Sequence, residues 1–339
     1  MRFIRVAAIA ACLLSPIAAA LISLKAAAAA PPSLEVPIDC DMRQVCAIHK
    51  YFDLDPGPGR MDFACGRLTQ DRHDGVDFRL PDFPAMQRGV AVLAAAPGVV
   101  KAIRDGMADV SVKEIGAEAI KGREAGNGVV IDHGDGWVTQ YAHLRRGSVA
   151  VKPGERVSAG QRLGFIGLSG ETEYPHVHFA VRHNGRSLDP FVGEATTFTC
   201  GNDRHPLWSP AALAQLNYRP SGGLIVGFAA QRPDANAARD GAYAQETLSV
   251  DAPALVVWAD SFGILEGDTQ RIRIIGPDRA EVHNSETVLS KSNMVWFGFS
   301  GLRRPQAGWK PGEYTGIYEI VRAGVPVVSM TKRVQIAGE

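Results

Sequence analysis

The sequence lacks several things. It has no excess charge of one sign: 36 Lys and Arg balance 36 Asp and Glu, so no general attraction to nucleic acid follows. It has no long apolar run after residue 30, which excludes a membrane-spanning helix from the body of the chain. Its five cysteines form no C-x-x-C pair, which disfavours a zinc cluster built on cysteine. It has no H-E-x-x-H, so any metal-dependent hydrolysis must find its proton carrier elsewhere. No internal repeat and no low-complexity stretch occurs outside the first thirty residues.

What is present describes a globular protein. At 339 residues the chain is long enough for two domains of ordinary size. With 46% hydrophobic and 21% charged residues it can bury a real core and is not disordered. Its 36 glycines and 21 prolines follow no collagen-like period, and they point to many turns and therefore many strands.

Residues 1–30 are a different kind of text. Arg2, Arg5 and Lys25 are there without any acid, around an apolar stretch from Val6 to Leu24 broken by Pro16. Ala26 to Ala30 and then Pro31-Pro32 follow. A basic start, an apolar middle and a small-residue exit describe a secretory signal peptide, and removing it leaves a mildly acidic mature chain. An uncleaved anchor and lipid attachment at Cys12 are the weaker alternatives.

Export changes how the cysteines read. With Cys12 gone, Cys40, Cys46, Cys65 and Cys200 remain, and an even number in an oxidising compartment suggests two disulfides. Three connectivities are open. The expected one joins Cys40 to Cys46 as a local loop and Cys65 to Cys200 as a clasp across the first domain.

The chain divides by composition. Residues 31–70 read as irregular. From about residue 73 short strands and tight turns take over. Val76 to Leu80 alternates with period 2, Val90–Ala96 and Val99–Ile103 flank the Pro97-Gly98 turn, and Val129–Asp132 with Trp137–His143 forms a hairpin around Asp135-Gly136. Residues 104–126 are polar and Ala-rich, an inserted loop or short helix. Prolines at 206, 210 and 220 mark a linker over 203–222. Beyond it, strands at 224–229, 255–259, 269–275, 294–299, 316–321 and 325–336 suggest an antiparallel β-sandwich, with an immunoglobulin-like arrangement as one candidate. Trp258, Trp296 and Trp309 are expected to fill its core; a binding face is the alternative.

The chemistry lies in the histidines. His176 and His178 are two apart, so on a strand both rings point to one side while Val177 and Phe179 enter the other. Upstream, His73 and Asp77 stand four apart around Gly75. Imidazole and carboxylate are normal zinc ligands, and His73, Asp77 and His178 together would make three ligands with a fourth position open. His143 ends another apolar strand. Taken singly, each has a bland reading: a surface ion pair, a core histidine, two polar residues on an edge strand. His133 reads as a hairpin residue, and His49, His183, His205 and His283 read as solvated.

The ordered set is specific. H-x-x-x-D (His73 to Asp77), Y-A-H-L (Tyr141 to Leu144) and H-x-H-F (His176 to Phe179), with Gly126 to Gly134 and Val157-x-x-Gly160 between them, resemble the lysostaphin/LytM-type zinc peptidases. The resemblance covers residues 73–191. It implies a mostly β protein with a compact antiparallel β peptidase domain over residues 31–202, of barrel-sandwich type, before the C-terminal sandwich of residues 223–339. It implies one zinc per chain on His73, Asp77 and His178, with His143 and His176 as the catalytic pair. The substrate it implies is a peptide of bacterial peptidoglycan, cut in the periplasm or cell envelope. Two features depart from the family pattern: the insertion at 104–126 and the acids Glu171 and Glu173 before the H-x-H. A regulatory module that binds a cell-wall amidase and a secreted protease with a non-wall substrate are the alternatives. The sandwich adds no ligand and no catalytic histidine, so its expected part is to position the enzyme on the wall or on an envelope partner.

Overall fold

The computed structural model describes residues 30–195 and 204–338. The expected signal peptide, Cys12 and Cys200 lie outside the described residues. Cys40 and Cys46 are disulfide-bonded to each other, and Cys65 is likewise disulfide-bonded. No helix among the described residues is long and apolar enough to cross a membrane.

The first part is built from ten strands: β1 (Ala47–Lys50), β2 (Val76–Arg79), β3 (Ala91–Leu93), β4 (Gly98–Arg104), β5 (Asn127–Gly134), β6 (Trp137–Leu144), β7 (Arg156–Val157), β8 (Arg162–Phe165), β9 (His176–His183) and β10 (Arg186–Leu188). The main sheet runs in the order β1-β2-β9-β6-β5-β4-β7, with β10 on the edge of β9, and every pair in it is antiparallel. β3 and β8 form a small second sheet. Val76, Phe78, Val129, Ile131, Tyr141, Val177 and Phe179 alternate into the core with no solvent exposure, as the period-2 patterning requires. β1 falls in the stretch read as irregular. Its Ala-Ile-His-Lys is too short and too polar to announce a strand, and pairing with β2 makes it one. The insertion contains a short helix, Val112–Ile115, and a 3₁₀ turn, Ala117–Ile120.

The C-terminal part has eight strands: β11 (Gly222–Ala229), β12 (Thr247–Ser249), β13 (Ala254–Ile264), β14 (Thr269–Ile275), β15 (Glu281–Val288), β16 (Asn293–Arg303), β17 (Gly312–Arg322) and β18 (Val325–Ala337). They form a three-stranded sheet, β11-β13-β16, and a five-stranded sheet, β12-β18-β17-β14-β15. β15 is not legible as a strand from sequence, because Glu-Val-His-Asn-Ser-Glu-Thr-Val is mostly exposed at the sheet edge.

β13 shows how the layers stack. Leu255, Val257 and Ala259 face the five-stranded sheet, in one core with Ile272, Tyr318 and Val334. Alternate residues on the same strand point the other way, and Phe262 joins the core of the first part, where Leu224 and Met294 pack against it. The three-stranded sheet is therefore a middle layer. Trp309 fills the sandwich core, with its indole N–H donating to the Ala252 carbonyl, and Trp296 packs partly buried against that core. Trp258 does not fill it. Strand alternation turns it to the opposite face, against Tyr243 and Phe297.

Candidate metal centre and groove

β2 and β9 pair with Asp77 opposite His178 and Arg79 opposite His176. Since Val76, Phe78, Val177 and Phe179 take the core face, these four polar residues share the other one. His73 comes in from the loop before β2. The ligand atoms of His73, Asp77 and His178 all lie within 4.8 Å of one another. His73 Nε2 is 3.0 Å and His178 Nδ1 2.9 Å from the same oxygen, Asp77 Oδ1.

The remaining ring nitrogens are also engaged, and this fixes the tautomers. His73 Nδ1 donates to the Tyr51 carbonyl at 2.7 Å. His178 Nε2 donates to Asp74 Oδ1 at 3.2 Å, while Arg182 holds the other oxygen of Asp74 at 2.9 Å. With those nitrogens committed, His73 Nε2 and His178 Nδ1, both turned toward Asp77, are the two that a metal would take once they carry no proton. Two neutral imidazoles backed by acceptors, plus one buried carboxylate, are a donor set that fits zinc with a further position open. Burial works against the Asp77 charge, but His73, His176 and His178 outweigh it and hold the carboxyl well below its usual range. Burial likewise works against a charged His178, but hydrogen bonds to Asp74 and Asp77 raise it to about 9. Any metal entering must displace that proton.

Gly75 explains the tightness of the turn. A Cβ there would lie 2.6 Å from His178 Nε2 and 2.6 Å from the Phe179 carbonyl.

His143 reaches the same pocket by an irregular route. Tyr141 is fully buried, and simple alternation would send His143 into the core beside it. Instead the β5–β6 register slips between Asn127 and Val129, and His143 takes a left-handed φ of 63°. Its backbone N–H donates to the Ala125 carbonyl, its own carbonyl accepts from Gly167, and Nδ1 donates to the Ser169 carbonyl at 2.8 Å. His176 Nδ1 lies 2.8 Å from the Tyr174 carbonyl and 3.0 Å from Thr172 Oγ1. The His143 and His176 ring centroids are 4.7 Å apart, and His176 Nε2 is 3.6 Å from Asp77 Oδ1. Burial, with His176 and His178 nearby, holds His143 well below the usual imidazole range, and burial lowers His176 to about 4.

The structure brings together His73, Asp77, His178, His143 and His176, and adds what sequence reasoning missed. His49 is not solvated. The backbone irregularity between Ile48 and Lys50 buries its ring against His176 at 5.7 Å, where burial and then the Arg79 charge hold it well below the usual range. His183 and His283 are also half-buried, the first stacked on Trp137 and the second bonded to Ser300, while His205 is exposed. His133 stays on its hairpin, bonded to the Pro97 carbonyl and Thr139. The role of Asp74 could have been found from sequence, since a ligating histidine usually donates its second nitrogen to a carboxylate.

The pocket opens into a groove of about 590 Å³. Lys50, Arg60, Val112 and the loop from Glu171 to Tyr174 line it, and Met294 and Val295 of β16 form part of its wall. The insertion grips the loop before β9. The Val112 N–H donates to the Thr172 carbonyl, and Lys113 pairs with Glu173 at 2.6 Å.

This mostly β, antiparallel domain with its His–Asp–His pocket resembles the lysostaphin/LytM metallopeptidases. Residues 71–190 match Peptidase family M23, in agreement with the motif reading. The peptidoglycan DD-endopeptidase ShyA of Vibrio cholerae is 33% identical over 117 residues, 34% of this chain and 22% of that protein. The cell division protein DipM of Caulobacter vibrioides is 34% identical over 34% of this chain and 15% of its own length. The peptidoglycan DD-endopeptidase ShyC, also of Vibrio cholerae, is 42% identical over 39% of this chain and 25% of its own length. The chain thus spans a quarter or less of the length of these curated relatives. Among solved structures, the catalytic domain of a prophage-encoded M23 protein of Enterococcus faecalis aligns over 49% of this chain and 98% of that one, at 23% identity and a TM-score of 0.32.

Proposed function

We propose that this chain is an exported, zinc-dependent endopeptidase that hydrolyses peptide cross-links of bacterial peptidoglycan, with one zinc per chain. The observation that carries the reading is the set of four histidines gathered at Asp77, each with one ring nitrogen anchored to a fixed acceptor, and with the other nitrogen of His73 and of His178 turned to the same Asp77 oxygen. The match of residues 71–190 to Peptidase family M23 and the similarity to the peptidoglycan DD-endopeptidases ShyA and ShyC support the substrate class.

His73 Nε2, Asp77 and His178 Nδ1 would hold the zinc. When bound, the metal supplies a Lewis acid that polarises the scissile carbonyl and activates a water. The rest of the work belongs to the protein. His176 is neutral at neutral pH, and the Tyr174 carbonyl orients its ring, so Nε2 can accept a proton on the Asp77 side of the pocket. His143 is neutral for the same physical reason. With Nδ1 anchored to Ser169, its Nε2 is the second nitrogen available to hydrogen-bond the reacting carbonyl or pass a proton to the leaving amine. The groove walls hold the peptide and keep bulk water away from the reacting atoms.

The chain is read as a signal peptide over residues 1–30, a peptidase domain over 31–202, a linker over 203–222 and a β-sandwich over 223–339. Two paired disulfides in an oxidising envelope fit the export reading. The test is metal analysis of the mature protein alongside digestion of purified sacculi. Equimolar zinc and release of cross-linked peptides as monomers are expected. Zinc without any release from sacculi would remove the wall substrate but keep the metal centre.

A further inference from the structure

Arg79 stands two residues from Asp77, opposite His176 on the neighbouring strand. It has no role in the metal centre, yet it is almost fully buried, with 1% of its side chain exposed. Among the described residues its ion-pair partner lies in the other half of the chain: Asp260 on β13, at 3.5 Å. Asp260 is wholly buried as well, and it takes two further bonds from Arg239, at 2.8 and 3.0 Å. The two guanidiniums gather on one aromatic ring. Arg79 lies 3.9 Å and Arg239 5.1 Å from the centroid of Tyr174. The Tyr174 carbonyl accepts the Nδ1 proton of His176 and the hydroxyl proton of Thr172. A continuous chain of contacts thus runs from the sandwich, through Asp260 and its two arginines, to Tyr174 and then to His176.

A buried carboxylate between two arginines is costly to desolvate and is tolerated only when its partners stay in place. It therefore holds the two halves in one arrangement rather than letting them swing. The strand pairing fixes the groove wall in the same way. Asp260 lies opposite Phe297 and Phe262 opposite Val295, so the strand that carries the carboxylate also sets the position of Met294 and Val295 in the groove.

We infer that the C-terminal sandwich is part of the active site. Asp260 and Arg239 are positioning residues that hold Tyr174, and through it the His176 ring, while Met294 and Val295 complete the groove against the substrate peptide. This rests on the reading of His176 as a proton carrier. It differs from the expectation that the sandwich only delivers the enzyme to its substrate.

The experiment uses the zinc-loaded full mature chain with Asp260→Asn, Arg239→Ala and Arg239→Lys, each made with and without His176→Ala. Three quantities are read: zinc per chain, the ¹⁵N imidazole signals of His73 and His176, and kcat and KM on a small soluble muropeptide. Zinc should stay bound. The His176 signals should move while those of His73 stay. kcat should fall by about tenfold or more with little change in KM, as expected when a proton-transfer group loses its orientation. Arg239→Lys should recover part of the loss. In the His176→Ala background neither change should cost anything further, because their effect passes through that ring. If Asp260→Asn does not fold, Arg239→Ala carries the same readouts, since it leaves the Arg79–Asp260 pair intact. Unmoved His176 signals, or equal losses with and without His176, would overturn the inference. If the wild type cleaves no muropeptide, the functional reading fails, and the imidazole signals still decide the positioning role.

Discussion

Asp74 and His178 form a hydrogen bond at 3.2 Å that decides which nitrogen of His178 faces the metal pocket. With Nε2 holding a proton for Asp74, Nδ1 is the nitrogen turned toward Asp77. His73 does the opposite, giving Nδ1 to the Tyr51 carbonyl and keeping Nε2 free. The contact with His178, followed by Arg182, holds Asp74 well below its usual carboxyl range, so it stays an acceptor at every pH at which the protein would work. Asp74→Ala should therefore keep the fold and weaken zinc binding by roughly 10–100-fold, the usual cost of losing such a partner. Competition with a chromogenic chelator measures it, and unchanged affinity would mean that His178 does not need the carboxylate.

Gly75→Ala should act on the same ring from the other side. The new Cβ would overlap His178 Nε2 and the Phe179 backbone, and the backbone cannot retreat without disturbing β9. A methyl group far smaller than any ligand should thus lower zinc occupancy and activity together. Metal analysis after dialysis against a weak chelator checks it. Full occupancy would show that the loop can shift.

His143→Ala and His176→Ala should each leave zinc bound and cut hydrolysis of a small peptide by roughly 10²–10⁴, the range for a general acid–base group. Their free nitrogens border the pocket, but neither belongs to the His73, Asp77 and His178 trio. Loss of zinc from either variant would move that histidine among the ligands.

The pocket was legible because its chemistry rides on a strand. Val76 to Arg79 and His176 to Phe179 alternate cleanly, so one face reads as core and the other as site. His143 and His49 were harder for one reason: both sit at backbone irregularities, where period-2 reasoning points a side chain the wrong way. For His143 the motif resemblance supplied what periodicity could not. Nothing supplied it for His49, whose neighbours give no pattern. The sandwich strands were legible wherever apolar residues alternate, and β15 was not, because an exposed edge strand carries almost no apolar signal. The Arg79–Asp260 pair joins residues 181 positions apart, and no local rule links an arginine in one strand to an aspartate that distant.

The last prediction concerns Asp189, which follows β10 and lies away from the metal pocket. Its Oδ1 accepts from the Phe191 N–H at 2.7 Å, while Oδ2 is buried with no hydrogen-bond partner among the described residues. Burial dominates and raises its pKa to about 7; the Asp62 charge adds to this and the Phe191 bond opposes it. In the unfolded chain the same group titrates near 3.9. The folded state therefore prefers the protonated acid. The stability this provides is fully present below about pH 3.9 and drains away as pH rises through the folded value near 7. Asn has nearly the same shape and no charge to bury. Asp189→Asn should thus leave stability below about pH 4 close to wild type and remove a loss that the wild type suffers between about pH 4 and 7. Thermal melts of both proteins across that range, at fixed zinc and ionic strength, measure the difference. The wild-type midpoint should fall relative to the variant as pH rises. Parallel curves would show that Asp189 is ionised in the folded protein at neutral pH, with its second oxygen satisfied by a water or by a movement of the loop that follows β10.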